Sequence, residues 1–544
     1  MDTKKLANIL FPNIKKTVAD YEKEYPKRKL NKGEEVCRVA PSPTGRVHMG
    51  TLYASFIPEV FAYQSGGIFI IRIEDTDDKR AIENGTELIL SDLKEYNYNI
   101  DENPIIGGPY APYVQSERKE IYNTFGKHLT EIGRAYPCFC SEEEVTKMRE
   151  RQETKKDRIG YYGRYAKCRN LTLEEIEEKI NNNEKWVLRL KSNGDFNKKI
   201  EFKDLIKGKM NLNENDIDHV LLKSDGIPPY AFAHVVDDYL MGTTTVHRGD
   251  EYVSSVPYHL EIWDAFGFNP PKYAHILPLN IKDGNSVRKL SKRKDPEAAI
   301  SFHHEKGVPK EAIKLYFATI LNTNFEDWYM QNPAASYRDF TFTYEKTSKS
   351  AGLFDMEKLI NISKNYLSRL SAEEVYDNLL IWTEEFDKDF NELITKHKDY
   401  TIALLNIERQ QAKPRKDFAF YSEIKDNVWY MYDELFDQDI DCSLVNNKED
   451  LKTIINDYFG NYYDINDDKE NWFKKIKELA TKHGYASEMS DYKTNPDNYK
   501  GSVADISNMI RVAVTNKTMT PDLYEILKIL GKERINLRIK KICG

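Results

Sequence analysis

The 544-residue sequence has no apolar stretch that approaches the length of a membrane-spanning helix. Its first residues, MDTKK, lack the apolar core of a signal peptide. It also lacks an excess of positive charge, because 80 lysine and arginine residues stand against 88 aspartate and glutamate residues, for a net charge of −8. Any basic surface must therefore be local. These absences argue against a membrane protein or a secreted one and predict a cytoplasmic protein of roughly three to five domains.

Two short segments carry the chemical signal of this chain. The first, APSPTGRVHMG at residues 40–50, lies between a β-branched run at residues 36–39 and a helical apolar pattern. A second apolar run at residues 68–73 follows the helix, after Gly66 and Gly67. The pattern predicts a βαβ crossover with parallel strands, and nucleotides bind at the carboxyl ends of such strands.

Three residues of the first segment suit a phosphate ligand. Gly45 and Gly50 let the backbone come close to a ligand, and amides at the start of the following helix favour an anion. His48 adds a side-chain donor that can follow a phosphate into a more charged transition state. Taken alone, the same pattern is also typical of a tight turn with a surface histidine, and this alternative stays open here.

The second segment is basic. KLSKRK at residues 289–294 follows the polar loop DGNS at residues 283–286. A charge run is usually a solvated surface, yet a mobile basic loop also suits a triphosphate, since negative charge builds up on the departing pyrophosphate. Together the two segments predict an enzyme of nucleotide chemistry.

The pair of segments resembles the His-Ile-Gly-His and Lys-Met-Ser-Lys-Ser signatures of class I aminoacyl-tRNA synthetases. Within that class, APSPTG, RIEDTD at residues 72–77 and VVDD at residues 235–238 are similar to bacterial glutamyl-tRNA synthetases. The likeness runs from about Val36 to the end of the chain. Two positions depart from the family: Thr51 replaces the second histidine of the signature, and His234 stands where the family often has asparagine.

The resemblance implies an α/β fold with a Rossmann-type nucleotide-binding domain, an inserted α+β connective domain, and all-α stem-contact and anticodon-binding domains. The expected parts are an N-terminal helical extension (1–35), the two halves of the Rossmann catalytic domain (36–116 and 225–275), the connective insertion (117–224), the stem-contact domain with the basic loop (276–370) and an all-helical anticodon-binding region of two subdomains (371–544). No run of alternating strands follows residue 370, which speaks against glutaminyl-tRNA synthetases with β-barrel anticodon parts.

The implied activity is that of a glutamate–tRNA ligase. ATP with Mg²⁺ would activate L-glutamate to glutamyl-adenylate, and the 3′-terminal ribose of tRNA(Glu) would then accept the glutamyl group, with release of AMP and pyrophosphate. The expected enzyme is a monomer. Two alternatives stay open: an enzyme that also charges tRNA(Gln), and a catalytically silent tRNA-binding relative.

The resemblance also implies the site residues. The catalytic set is His48, Gly50, Lys289 and Lys292; the ATP site shares His48, Gly50 and Lys292 and adds Gly45, Thr51, Glu251, Ile276 and Leu277. Glutamate carries two carboxylates and one ammonium, so its site needs at least one arginine and one acid. The implied glutamate site is Arg38, Ala40, Ser42, Glu74, Tyr230, His234 and Arg248, in which Arg38 reads the side-chain carboxylate and Glu74 receives the ammonium. Singly, each residue also fits an ion pair or core packing.

Three cysteines suggest a zinc site. Cys138 and Cys140 are followed by Cys168, and three thiolates can bind zinc. The spacing resembles the metal site of some glutamyl enzymes, which implies Tyr165 as the fourth ligand. The alternative, ordinary reduced cysteines in a hairpin without a metal, stays open.

The basic turn KPRK at residues 413–416 resembles a family segment near the last anticodon bases. Arg415 is therefore a candidate tRNA contact, with a solvated cluster at a helix end as the alternative.

Overall fold

The computed structural model describes residues 2–76, 82–291, 294–349, 352–436 and 439–542. The chain forms two compact units. Unit 1 comprises Met1–Phe302 and Lys314–Asp355, and unit 2 comprises His303–Ile313 and Met356–Gly544. Within the described ranges, no helix is both long and apolar enough to cross a membrane.

The strands all belong to unit 1, among the residues that the structure describes. In chain order they are β1 (Val36–Val39), β2 (Ile68–Ile71), β3 (Ala135–Cys138), β4 (Val187–Leu190), β5 (Lys199–Asp204), β6 (Gly208–Asn213), β7 (Val220–Leu222), β8 (Thr245–Gly249), β9 (Lys272–Ile276), β10 (Leu279–Asp283), β11 (Ser286–Lys289) and β12 (Gly352–Leu353).

The helices continue through both units. In chain order they are α1 (Thr3–Leu10), α2 (Val18–Glu24), α3 (Met49–Ser65), α4 (Gly85–Glu95), α5 (Lys119–Glu131), α6 (Glu142–Thr154), α7 (Leu173–Asn181), α8 (Tyr230–Leu240), α9 (Val256–Phe266), α10 (Ile300–Lys306), α11 (Lys310–Leu321), α12 (Phe325–Gln331), α13 (Met356–Leu367), α14 (Ala372–Phe386), α15 (Lys388–Lys396), α16 (Lys398–Leu405), α17 (Ile424–Val428), α18 (Lys448–Asp457), α19 (Lys469–Lys482), α20 (Met489–Thr494), α21 (Val503–Thr515) and α22 (Leu523–Ile539).

A parallel sheet in the order β2-β1-β8-β9 lies at the centre of unit 1. The pairing of β1 with β2 is parallel, with Cys37 opposite Phe69, as the βαβ pattern predicts. These strands are buried on both faces, which explains their continuous apolar runs. The carboxyl ends of β1, β2, β8 and β9 meet at one edge, where a ligand site is expected in such a sheet.

Helix α3 connects β1 to β2. His48 caps its first turn, since the His48 side chain accepts a hydrogen bond from the Thr51 amide. The helix ends at Gly66, whose φ of 70° is left-handed and therefore favours glycine. The adjacent Gly67 has no room for a side chain, because a Cβ there would lie 1.9 Å from the Glu35 carbonyl oxygen. The two glycines thus let β2 run close beside β1.

In the sequence, the strands of two antiparallel sheets lie between β2 and β8 of the parallel sheet. One has the order β3-β4-β7, and the other is the hairpin β5-β6. The first packs against α5, where Phe125 and Leu129 share a buried core with Leu188 and Leu222. The mixture of helices and short strands agrees with the predicted α+β character of the insertion.

The segment after β9 starts with strands. Strand β10 pairs antiparallel with β11 through a two-residue turn at Gly284 and Asn285, and Gly284 has a φ of 60°. Strand β12 pairs parallel with β10. The resemblance implies an all-helical stem-contact domain here, and the short hairpin is a difference that its Asp-Gly-Asn turn sequence explains.

Unit 2 contains helices joined by loops and has no strand among its described residues. Its core includes Leu379 of α14, Ile454 of α18, Ile476 of α19, Ile510 of α21 and Ile526 of α22. The predicted α/β fold class with a helical C-terminal region is confirmed.

Candidate active site

A cleft of about 380 Å³ opens at the carboxyl edge of the parallel sheet. The predicted site residues that line it are Arg38, Ala40, Ser42, Gly45, His48, Gly50, Thr51, Glu74, Tyr230, Arg248, Glu251, Ile276, Leu277 and Lys289. Arg38 and Lys289, which are 251 positions apart in the sequence, therefore line the same cleft, because parallel strands bring their carboxyl ends together. Lys292 lies outside the described residues.

His48 and Gly50 form one end of the cleft. The His48 Nδ1 atom accepts a hydrogen bond of 3.1 Å from the Thr51 amide, which fixes the imidazole over the start of α3. A Cβ on Gly50 would lie 2.8 Å from Cε1 and 2.9 Å from Nδ1 of His48. Glycine at this position therefore lets the imidazole lie against the helix, and a side chain would displace it.

Asp92 of α4 holds the loop that precedes α3. Its carboxylate accepts hydrogen bonds from the Val47 amide at 2.9 Å and from Arg46 at 3.0 Å. Gly45, on the same loop, has a φ of 139°, which other residues rarely adopt. These contacts give the loop a defined shape beside the cleft.

Lys289 and Glu251 face each other at this end. The Lys289 Nζ atom lies 3.6 Å from a Glu251 carboxylate oxygen, and both side chains are more than half exposed. Such an exposed pair contributes little to stability, typically less than about 1 kcal/mol. Lys289 can therefore leave Glu251 at little cost and bind a more highly charged group such as a phosphate.

Asp238 organises the opposite, buried end of the cleft. This fully buried carboxylate accepts hydrogen bonds from Arg38 Nη2 at 3.1 Å and from Arg72 Nη1 at 2.8 Å. Burial opposes its ionisation, but the two guanidinium groups outweigh burial and hold the pKa of Asp238 well below its ordinary value. Arg38 and Arg72 are thus fixed at the ends of β1 and β2.

Glu74 follows β2 and reaches the cleft wall. Arg72 Nη2 lies 3.5 Å from its carboxylate, whose side chain is only 12% exposed. Burial raises the pKa of Glu74 to about 7, and Arg72 and Arg38 offset part of that effect. Glu74 can therefore exchange a proton near neutral pH, and a cationic ligand group would favour its ionised form.

Arg248, at the end of β8, is held by imidazoles. Its Nε donates to His275 Nε2 at 3.0 Å, and its Nη1 donates to His259 Nδ1 at 3.0 Å. Among the described residues, no carboxylate lies within ion-pair distance of Arg248, and its buried Nη2 atom has no hydrogen-bond partner. This guanidinium is ready to bind an anion in the cleft.

His234 does not line the cleft, so its assignment as an amino-acid contact is corrected. It is fully buried on α8, with Nδ1 2.5 Å from Asp238 and Nε2 3.1 Å from the Tyr273 hydroxyl. The Tyr273 hydroxyl also accepts from Trp263, so it can donate its own proton to Nε2 and leave Nδ1–H for Asp238. Burial lowers the pKa of His234 to about 4, so the imidazole is neutral.

The three predicted cysteines converge away from the cleft. The sulfur atoms of Cys138, Cys140 and Cys168 all lie within 4.8 Å of one another. Tyr165 does not join them, so its assignment as the fourth ligand is corrected: its hydroxyl donates to Asp157. The Tyr161 hydroxyl lies there instead, 3.4 Å from the Cys138 sulfur and 3.3 Å from the Cys140 sulfur.

Arg415 lies in unit 2 beside a groove of about 750 Å³. Its Nε is paired with Asp417 at 2.5 Å, and its Nη1 lies 3.5 Å from Glu408. The groove also receives Arg511 and the half-exposed ring of Phe473. Cations beside an aromatic ring suit a nucleic-acid base and its phosphate.

Sequence reasoning missed several residues of the two sites. Tyr161 lies seven residues before Cys168, but spacing alone does not say which tyrosine of a loop turns toward the cysteines. Asp238 was part of a family block without an assigned role. His259, His275 and Asp204 carry no local signal, since their contacts with Arg248 and with one another join distant parts of the chain.

Comparison with known families identifies the class. The family described as tRNA synthetases class I (E and Q), catalytic domain, matches residues 35–361. A second family, the anticodon binding domain, matches residues 498–543. The chain belongs to the class I tRNA synthetases of the E and Q type.

Relatives and solved structures agree with this class. A glutamate–tRNA ligase of Acetivibrio thermocellus is 47% identical over 547 residues, covering 100% of this chain and 100% of that protein. A glutamate–tRNA ligase of Clostridium perfringens (strain SM101 / Type A) is 44% identical, covering 99% of both chains. The crystal structure of glutamate-tRNA synthetase from Elizabethkingia anophelis matches with a TM-score of 0.71 at 26% identity, covering 93% of this chain and 99% of that one.

Replacement of Gly50 tests the packing against His48. Gly50→Ala should push the imidazole from its place and, on the predicted catalytic role of His48, lower the rate of ATP–pyrophosphate exchange by roughly 10²-fold, since small displacements of a catalytic group have effects of this size. Gly460→Ala is the control, because nothing lies within 4 Å of a Cβ there. An unchanged exchange rate in Gly50→Ala, with the fold intact by circular dichroism, would contradict the positioning role of this glycine.

Proposed function

We infer that this chain is a glutamate–tRNA ligase. It activates L-glutamate with ATP and transfers the glutamyl group to the 3′-terminal ribose of its tRNA. The full-length relatives carry this name, and the observation in the structure that supports it best is the charge of the amino-acid end of the cleft.

With Glu74 ionised, as a neighbouring ammonium group favours, the buried charges beside the cleft balance except for one. Three arginines and three acids form a connected network: Arg38, Arg72, Arg118, Asp237, Asp238 and Glu74. Arg248 stands apart from it, without a carboxylate partner among the described residues. The site therefore has one cationic charge to be neutralised. Glutamate, with two carboxylates and one ammonium, carries one net negative charge, whereas glutamine carries none.

We propose the following roles for the amino-acid end. Arg38 and Arg248 bind the two carboxylates, since guanidinium groups bind carboxylates through paired hydrogen bonds. Glu74 receives the ammonium, and the ammonium in turn favours ionised Glu74 over its protonated form. Ala40, Ser42 and Tyr230 complete the wall on which the amino acid is oriented.

We propose that the other end holds ATP. The nucleotide lies along Gly45, Thr51, Glu251, Ile276 and Leu277, with its phosphates at the start of α3. His48 donates to the α-phosphate as the glutamate carboxylate attacks it, and Lys289 and Lys292 stabilise the departing pyrophosphate. Mg²⁺ enters with ATP and neutralises phosphate charge. No protein nucleophile is needed, because the carboxylate of the substrate attacks directly.

We propose that tRNA(Glu) is the RNA substrate and that Arg415 contributes to anticodon binding. The two carboxylates beside Arg415 orient its guanidinium in the groove. We also propose that the enzyme is a cytoplasmic monomer.

We propose that the three cysteines hold one structural zinc ion, with Tyr161 as the fourth ligand. In a tetrahedral zinc site with Zn–S bonds of about 2.3 Å, the sulfur atoms are about 3.8 Å apart. The Cys140 and Cys168 sulfur atoms are 3.7 Å apart, which fits.

Aminoacylation tests the function. Purified tRNA(Glu) and tRNA(Gln) are incubated separately with labelled glutamate, ATP and the enzyme, and pyrophosphate exchange is followed with and without tRNA. Charging of tRNA(Glu) is expected. Additional charging of tRNA(Gln) would identify an enzyme with relaxed tRNA choice. Binding of tRNA without charging or exchange would instead identify a silent tRNA-binding relative and overturn the proposal.

The role of Glu74 predicts a pH dependence. Because the pKa of Glu74 is raised to about 7, protonation should weaken glutamate binding below that value. The KM for glutamate should rise about tenfold per pH unit once the pH falls well below 7. Glu74→Gln should raise KM at all pH values and remove this dependence. A wild-type KM that is constant between about pH 8 and about pH 6 would contradict the assignment.

The zinc proposal predicts one metal ion per chain by elemental analysis of the purified protein. Cys168→Ser should lose it. Tyr161→Phe should release zinc to a chelator faster than the wild type, whereas Tyr165→Phe is the matched control, because the Tyr165 hydroxyl bonds to Asp157 outside the cluster. Equal release from both tyrosine variants would rule out Tyr161 as a ligand.

A further inference from the structure

We propose that His259, His275 and Asp204 are positioning residues that keep the charge of Arg248 available to the substrate carboxylate. They orient the guanidinium through neutral nitrogen acceptors in place of a carboxylate. This inference rests on the proposed function, because it concerns how the same site selects an amino acid with an acidic side chain.

His275 is fixed in one tautomer by Asp204. The Asp204 carboxylate lies 2.6 Å from His275 Nδ1 and also accepts from the His275 amide at 3.1 Å. A carboxylate can only accept, so Nδ1 carries the proton and Nε2 is left as an acceptor. Arg248 Nε donates to that Nε2 atom at 3.0 Å. Asp204 therefore acts on Arg248 through the imidazole, without touching it.

Asp204 is itself fixed by the end of strand β5. Its other carboxylate oxygen accepts from the amides of Ile206 and Lys207, at 2.9 and 2.8 Å. These bonds close the turn of the β5-β6 hairpin. The hairpin thus carries the group that sets the tautomer of His275 on β9, and the inserted part of the chain contributes to the amino-acid site in this way.

His259 of α9 provides the second acceptor. Its Nδ1 lies 3.0 Å from Arg248 Nη1, and because arginine can only donate, Nδ1 is the unprotonated nitrogen. The buried Nε2 atom has no hydrogen-bond partner. Burial lowers the pKa of His259 well below its ordinary value and also lowers that of His275, so both rings are neutral.

Arg38 shows the contrast. It is paired directly with the carboxylate of Asp238, which it shares with Arg72. A buried cation without a counterion is costly, so Arg248 favours an anionic ligand, although the rings of Tyr252 and Tyr273 lie within 5.4 and 4.7 Å of its guanidinium. A carboxylate in place of either imidazole would satisfy Arg248 before the substrate arrives. The neutral acceptors His259 and His275 orient Arg248 in the same way and leave its charge without a counterion.

Two variants at His259 separate the effect of the acceptor's charge from the effect of its position. Asparagine and aspartate have the same size, and each can present an oxygen where His259 Nδ1 lies. His259→Asn retains a neutral acceptor and loses no other bond, since Nε2 has no partner. His259→Asp adds a carboxylate at the same place. The KM for glutamate, the KM for ATP and kcat are measured by pyrophosphate exchange in the presence of tRNA(Glu).

We expect the KM for glutamate to rise at least about tenfold in His259→Asp relative to His259→Asn, with the KM for ATP and kcat changed less than about threefold. Equal glutamate KM values in the two variants would overturn the inference. Thermal unfolding of both proteins and an unchanged KM for ATP verify that the cleft is folded. His219→Gln, at a partly buried histidine whose Nε2 bonds to Asn215, is the control for replacement of a neutral imidazole.

A second pair at His275 keeps the inference testable if the aspartate variant does not fold. His275→Gln retains an acceptor near Nε2, and His275→Leu removes it. The KM for glutamate should rise in the leucine variant and be largely rescued in the glutamine variant. An equal rise in both would contradict the acceptor role. Failure of the wild type to exchange pyrophosphate with glutamate would refute the proposed function itself, a result separate from any of these.

Discussion

The geometry of the cleft in unit 1 depends on the ion pairs of the buried Asp238 carboxylate. This carboxylate joins Arg38 on β1, Arg72 after β2 and His234 on α8. Buried ion pairs seldom add net stability, because the cost of removing charges from water is close to the gain from pairing them. Their value here is geometric. One carboxylate sets the positions of two arginines, and Arg72 in turn lies against Glu74, so the amino-acid end of the cleft is formed before any ligand binds.

The network also explains why a histidine serves at position 234. A neutral imidazole donates to Asp238 from one nitrogen and accepts from Tyr273 with the other, which continues the chain of hydrogen bonds to Trp263. The side chains of Asp238, His234, Tyr273 and Trp263 are each hydrogen-bonded, as a low-dielectric interior requires. His234 therefore acts behind Arg38 and outside the cleft wall, and a contact with the amino acid is not needed to explain its burial.

Much of the fold could be predicted from the sequence because the signals are local. The β-branched run at residues 36–39 is strand β1, and Gly66 ends α3 as expected. The position of the cleft followed from parallel strands sharing a carboxyl edge. The direction of individual side chains could not be predicted. Tyr161 and Tyr165 are four residues apart in one loop, and only the packed structure shows that Tyr161 faces the cysteines. The pairing of Asp204 with His275 spans 71 residues and has no sequence signature.

The two ends of the cleft treat charge in opposite ways, and the chemistry explains the difference. At the proposed amino-acid end the arginines are buried and held by fixed neighbours, which suits recognition of a small ligand with two carboxylates and one ammonium. At the nucleotide end, Lys289 and Glu251 are 64% and 52% exposed and only loosely paired. A triphosphate gathers charge on its leaving group during the reaction, so its partners must be able to move toward it. The weak surface ion pair with Glu251 keeps Lys289 beside the cleft, and breaking this pair costs little free energy. Rigid recognition and movable stabilisation are therefore placed at opposite ends of one cleft, with the reacting carboxylate and phosphate between them.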